Sequence, residues 1–360
     1  MASRSASSGA IPALDHLILL VNDPRTASSQ IDSALERAIC TFSALGFQVV
    51  RGGLHADGIT SNALIVFPDG VYIELVQFEA APGLSSGEKR ADFEARRKRH
   101  WWYNSRPGWI DWCLQDGISD GMIQSINDNA HRLRQTAHEE EQRESQDGMR
   151  IVAPRLRYLP PQEGGRVTMT GEELRWKVSF PAPPEGSVGN PRSAVPFWCA
   201  DLTARQLRVP LTRSVHENRS PGIAEITLLY ARDTVAAYLD VSLALNQPID
   251  AATLPISSEL QLVPNQIPHR LLAAPAPAPK PDTTLAKGEG HPHHQAQMPQ
   301  RFIRVIVKVA EDPQDFAWIE RHGEGLYEVA IYVAADKLPA TAPPDGIGKF
   351  IPNIPYLTFG

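Results

Sequence analysis

A chain of 360 residues is long enough for two domains, or for several copies of a smaller unit. Its 35 basic and 41 acidic residues leave a net charge of -6, which gives no electrostatic case for nucleic acid or an anionic membrane as partner. With 42% hydrophobic and 21% charged residues the composition is that of a globular protein, and no apolar run approaches the roughly 20 residues needed to span a bilayer.

Residues 1–10 are polar and carry no apolar stretch of leader-peptide length, so they read as a disordered tail on a cytoplasmic protein. LDHLILLV (14–21) then reads as a strand with a histidine inside its apolar run. Ser28 or Ser29 is a candidate helix cap, and Ile31, Leu35, Ile39, Phe42 and Leu45 recur at helical spacing up to the stop at Gly46. FQVV (47–50) is expected as a short strand ending at Gly52-Gly53. NALIVF (62–67) and VYIELVQF (71–78) form a hairpin around Pro68-Asp69-Gly70. Residues 11–82 therefore make a β-α-β-β-β unit, followed by a charged connector (83–106).

A looser copy of that order occupies 107–204. It has GWIDWCL (108–114), a weaker helical pattern over 120–135, then VTM (167–169), LRWKVSF (174–180) and VPFWCADL (195–202). A third, degenerate unit spans 205–338, with GIAEITLLY (222–230), a helix over 233–246, and strands at 302–310 and 325–334. It contains a Pro/Ala-rich loop at about 265–300, expected to be disordered, and a Pro-rich tail (339–360) follows. The predicted fold class is α+β: repeated β-α-β-β-β units forming curled mixed sheets around a cavity, with a third partial unit at the C-terminal end. Cys40, Cys113 and Cys199 are isolated thiols, at spacings that suit neither a disulfide framework nor a Cys-x-x-Cys site.

LDHLILLV, LGFQVVRGGLH (45–55) and TSNALIVFPDGVYIEL (60–75), with VPFWCADL and HENRSPGIAEITLLY (216–230) further on, resemble the vicinal oxygen chelate superfamily. More narrowly, the chain resembles the glyoxalase-like domain proteins of that group (the glyoxalase/bleomycin resistance/dioxygenase superfamily). The resemblance implies paired units enclosing a cavity, often with a divalent ion (Zn, Mn, Fe, Ni or Mg) held from the first and last strands of a unit. Here that implication falls on His16 and Glu74. It also implies a small-molecule substrate, and a homodimer as one arrangement.

Strand alternation places Leu14, His16 and Ile18 on one face, and Tyr72, Glu74 and Val76 on one face of the unit's last strand. An imidazole and a carboxylate on one concave surface suit a metal or a hydrogen-bonded pair, and a buried glutamate needs some such partner. The second unit offers Asp111, Cys199 or Asp201 but no matching His/Glu pair; the best of these is Asp111, either catalytic or a structural core aspartate. Glu225 and Glu328 stand in the third unit where His16 and Glu74 stand in the first, or read as exposed residues on edge strands. His55, on a glycine-rich loop, is the other catalytic candidate, with Asn62 beside it as a pocket residue. Trp101, Trp102 and Trp112 suit an aromatic wall or inter-unit packing, and His216 a pocket rim. The histidines of HPHH (291–294) resemble a metal tract in a setting that favours adventitious binding. The reading is a glyoxalase-like lyase or isomerase acting on a small carbonyl- or enol-bearing metabolite, with metal assistance. The alternative is a metal-free small-molecule binding or sequestering protein of the same fold.

Overall fold

The computed structural model describes residues 13–25, 34–81, 87–115, 118, 120–142, 153–168, 170–182, 192–231, 234–245, 259–264, 302–334 and 347–350. The tail at 1–10, the cap at Ser28 or Ser29, the loop at 265–300 and His291, His293 and His294 lie outside them.

The first unit consists of β1 (Ala13–Leu20), α1 (Ala34–Ala44), β2 (Val50–Leu54), β3 (Thr60–Val66) and β4 (Tyr72–Phe78). After α2 (Gly87–Arg99), the second consists of β5 (Gly108–Gln115), α3 (Asp120–Gln142), β6 (Gln162–Val167), β7 (Glu173–Ser179) and β8 (Phe197–Asp201). Their strands form one mixed sheet in the order β2-β3-β4-β1-β5-β8-β7-β6. β1 runs parallel to β4 and antiparallel to β5, and so joins the two units. The sheet curls until its edges meet: His55, just beyond β2, bridges Arg166 of β6, and Ala56 N donates to Gly165 O at 3.1 Å. The result is a nearly closed, eight-stranded barrel.

The third unit comprises β9 (Gly222–Tyr230), α5 (Thr234–Ala244), β10 (Glu259–Pro264), β11 (Ile303–Val309), α6 (Pro313–His322) and β12 (Gly325–Ala334), joined to the barrel by the short α4 (Arg205–Arg208). A last strand, β13 (Ile347–Phe350), pairs with β12 inside the Pro-rich tail. The strand order is β13-β12-β9-β11-β10, and the start of β1 touches β10 through two parallel pairs. α6 separates the last two strands of the unit, giving β-α-β-β-α-β, a split arrangement unlike the first two units. Its start is chemically explicit: Asp312 accepts from Gln314 N and Asp315 N, both at 2.8 Å, Pro313 opens the first turn and Gly323 ends the last. Glu225 lies on the interior strand β9, is buried, and meets Arg304 at 2.9 Å. The expectation of an exposed edge residue fails there because β9 is flanked on both sides.

Two β-bulges change how side chains are presented. β2 begins at Val50, not at Phe47, and runs through Gly52-Gly53, with a register shift between Arg51 and Gly53. Gly53 takes φ +124, which only glycine adopts without strain, so the glycine pair bends the strand instead of ending it. In β1 the register to β5 shifts between Leu14 and His16. Leu14 consequently joins Leu17 and Leu19 in the outer core, while His16 and Ile18 face the barrel interior. The alternation that put Leu14 beside His16 is broken by the one extra residue, Asp15.

The larger core fills the space between the barrel's outer face, its helices and the sheet of the third unit, uniting Leu17, Phe42, Trp112 and Ile126 with Ile226, Val305 and Ile331. A second cluster, with Ile18, Val76, Trp102, Phe180 and Phe197, plugs one part of the barrel interior. The remainder of that interior is open.

Candidate active site

The open part is a cavity of about 300 Å³, within the range of small-molecule sites. β1 contributes His16, β3 Asn62 and β4 Tyr72 and Glu74; the loop after β2 adds His55, β6 Arg166 and β7 Trp176.

Glu74 is the centre of the polar wall. Its Oε1 accepts from Asn62 Nδ2 at 2.5 Å and lies 3.4 Å from His55 Nε2, while Oε2 lies 3.7 Å from His16 Nε2. Burial by itself would raise the Glu74 carboxyl; His55, His16 and Asn62 outweigh it and hold the group down to about 2. Asn62 can reach Glu74 because residue 52 is glycine: a Cβ there would lie 1.9 Å from Asn62 Oδ1. His55 is fixed from behind, its Nδ1 2.7 Å from Thr60 Oγ1, with its ring edge-on to Trp176. His16 stacks on Tyr72 with 4.6 Å between ring centroids and meets Phe197 edge-on.

Behind His16 lies a buried ionic network. Asp15 Oδ2 accepts from Arg208 Nη2 at 2.9 Å and Oδ1 from Arg205 Nη2 at 3.0 Å; Asp201 takes Arg208 Nε at 2.6 Å. Arg208 Nη1 donates to the Tyr72 hydroxyl. Burial opposes ionisation of Asp15, but Arg208 and Arg205 hold its carboxyl well below the usual carboxylate range.

The expected site residues divide. His16, His55, Asn62, Glu74, Trp101 and Trp102 line the cavity, whereas Asp111, Trp112 and His216 do not. Asp111 is fully buried and accepts from Trp102 Nε1 at 2.9 Å and Trp112 N at 3.0 Å, a core position that fixes Trp102 against the cavity. Trp112 points to the outer core, where its Nε1 donates to Ser193 O. His216 packs between Phe47 and Phe67, and its Nδ1 accepts from Gln48 N at 3.0 Å. Burial pulls it down to about 4, so it is a neutral packing residue at physiological pH.

The reading of the sequence missed Arg166, Trp176 and Arg208. Trp176 follows from the Leu174-Trp176-Val178 alternation of LRWKVSF. Arg166 had no periodic signal, because EGGRV is short and rich in glycine.

A divalent ion can be tested against these donors. Among the described residues, the one trio whose donor atoms all lie within 4.8 Å of each other is Asp15, Cys113 and Cys199; His16, His55 and Glu74 do not converge in that way. In the converging trio both Asp15 oxygens already accept from guanidinium groups. Burial, with Cys199 and Asp15 adding to it, pushes the Cys113 thiol well up. Neither set fits a divalent ion.

Two joined β-α-β-β-β units curl around an interior cavity, with histidine on the first strand and glutamate on the fourth, an arrangement consistent with the vicinal oxygen chelate superfamily. The family model described as a glyoxalase-like domain matches residues 14–241, and the chain belongs to that family. No curated protein matches the sequence. Among solved structures, a hypothetical protein from Staphylococcus aureus is similar at 12% identity and a TM-score of 0.46, covering 93% of this chain and 94% of that one. Among the described residues, no helix is long and apolar enough to cross a membrane.

Proposed function

We propose that the cavity is the active site of an enzyme that moves a proton on a small carbonyl- or enol-bearing molecule, in isomerase or lyase chemistry. The observation that supports this most directly is the pair of imidazoles flanking an ionised carboxylate, His16 and His55 on either side of Glu74. Glu74 stays ionised at neutral pH, so an imidazole carries the proton. His55 is the acid/base: it is the more exposed of the two and is oriented by Thr60. Glu74 stabilises the imidazolium as it forms, and Asn62 keeps Glu74 in place. No step is assigned to a metal ion.

The test is hydrogen exchange in D2O, followed by proton NMR on a panel of small 2-oxo acids, 2-hydroxy ketones and their neutral derivatives. Wild-type protein should exchange a proton next to the carbonyl of at least one compound. His55→Ala should slow that exchange by roughly 100-fold or more. Exchange that persists in His55→Ala would remove the acid/base role. The aromatic wall of Trp101, Trp176 and Phe180 favours a second reading, a metal-free binding protein, which the same panel would reveal as line broadening without exchange. Metal measured on chelator-free protein supplies a separate check. Stoichiometric metal that disappears in His16→Ala or Glu74→Ala would reinstate a metal-assisted reaction.

A further inference from the structure

Three arginines are buried in and around the barrel, and they differ in what their donors do. Arg208 is saturated by Asp15, Asp201 and Tyr72. Arg97 lies away from the cavity, over the Phe78 ring and 3.5 Å from Glu94. Arg166 is different. It is 5% exposed and lines the cavity, and its one hydrogen bond is from Nη1 to Gly52 O. Among the described residues no carboxylate lies within ion-pair distance of it. Its remaining donors are not sealed into the protein, unlike Arg97 Nε and Nη2, so they open onto the cavity. A guanidinium that is 5% exposed and has most of its donors unmet by the protein is costly unless a ligand or water in the cavity completes it.

We infer that Arg166 is the anchor for a carboxylate on the cavity's ligand, with the ligand's apolar body against Trp176, Phe180 and Trp101. The inference deepens the proposed function by naming the substrate class, a carboxylic acid, and rests on the cavity being the site. The guanidinium fork matches a carboxylate through two parallel hydrogen bonds. A single negative charge is favoured over the double charge of a phosphate, because the buried Glu74 carboxylate occupies the same cavity. Burial weakens the hold of Arg166 on its proton and Glu74 opposes this, so the guanidinium remains the fixed positive charge of the site. On the same strand, Glu163 is paired with Arg175 at the surface and leaves Arg166 free for the ligand.

Isothermal titration of the full chain with phenylpyruvate, benzoate, phenylphosphonate, phenylacetone and benzamide tests this. Wild-type protein should bind phenylpyruvate at least about tenfold more tightly than phenylacetone. Arg166→Met should reduce that ratio to within about twofold while leaving phenylacetone binding unchanged, and Arg166→Lys should fall between. Should Arg166→Met fold poorly, Arg166→Lys and the wild-type acid-to-neutral ratio decide the matter. An unchanged ratio in the variants, preference for phenylphosphonate over benzoate, equal binding of acid and neutral partner, or no binding of any probe would each overturn the inference. His55→Ala keeps the carboxylate preference while losing exchange, so failure of the acid–base reading is distinguished from failure of this one.

Discussion

Replacing Glu74 with glutamine tests the electrostatics of the cavity without changing the volume of the side chain. The ordinary value for the carboxyl is 4.5, and the fold holds it at about 2. At about 1.4 kcal/mol for each tenfold difference in proton affinity, that depression contributes about 3 kcal/mol of stability. The folded value is the lower one, so the contribution is complete above the unfolded value. It fades as pH falls from about 4.5 towards 2 and is gone below that. Glu74→Gln should therefore unfold about 3 kcal/mol more easily than wild type at pH 7, and the gap should close in acid. Urea unfolding followed by tryptophan fluorescence, run on both proteins from pH 7 to about pH 3, measures the gap directly. Curves that stay parallel over that range would show that the carboxylate gains nothing from His55, His16 and Asn62.

Two further substitutions examine the supports of the site. Gly52→Ala puts a Cβ 1.9 Å from Asn62 Oδ1, which should displace Asn62 from Glu74 and cost about 1–3 kcal/mol in the same unfolding assay; wild-type stability in this variant would mean that Asn62 does not depend on the glycine. Arg208→Met leaves Arg205 as the remaining guanidinium on buried Asp15 and half-buried Asp201 and should cost about 3 kcal/mol, with Arg208→Met combined with Asp15→Asn recovering part of the loss; additive losses in the double variant would argue against the pairing.

Much of the barrel is legible in the sequence because its strands are apolar on both faces. LDHLILLV, VYIELVQF and GWIDWCL show as strands wherever their side chains point, one face filling the barrel and the other packing under helices. What alternation could not supply was the facing of Leu14 or the start of β2. A bulge adds a residue without leaving a compositional mark in the first case, and the glycines that permit it in the second resemble a strand end. Glu74 could be linked to His16 because both lie in long strands, and a buried carboxylate demands a partner. Their neighbour Arg166 is brought in by the curl of the sheet, from a strand on the far edge of the barrel, and nothing local announces that contact. Asp111 and His216 carry the residue types of catalysis, yet burial among tryptophans or phenylalanines, with backbone partners, makes them structural.

The meeting of β2 and β6 has a mechanical consequence. The two edges are held by the His55–Arg166 bridge, the bond from Ala56 to Gly165 and the reach of Arg166 to Gly52, an isolated bridge in place of a continuous ladder. His55, the proposed acid/base, and Arg166, the proposed carboxylate anchor, stand on opposite lips of this clasp. Parting the lips widens the cavity and separates the two groups in a single motion, without unzipping a full ladder. This sparse line of closure thus runs between the two groups proposed to act. Amide exchange should be fastest along it among the barrel strands, and a ligand that spans both lips should slow that exchange by fastening them together.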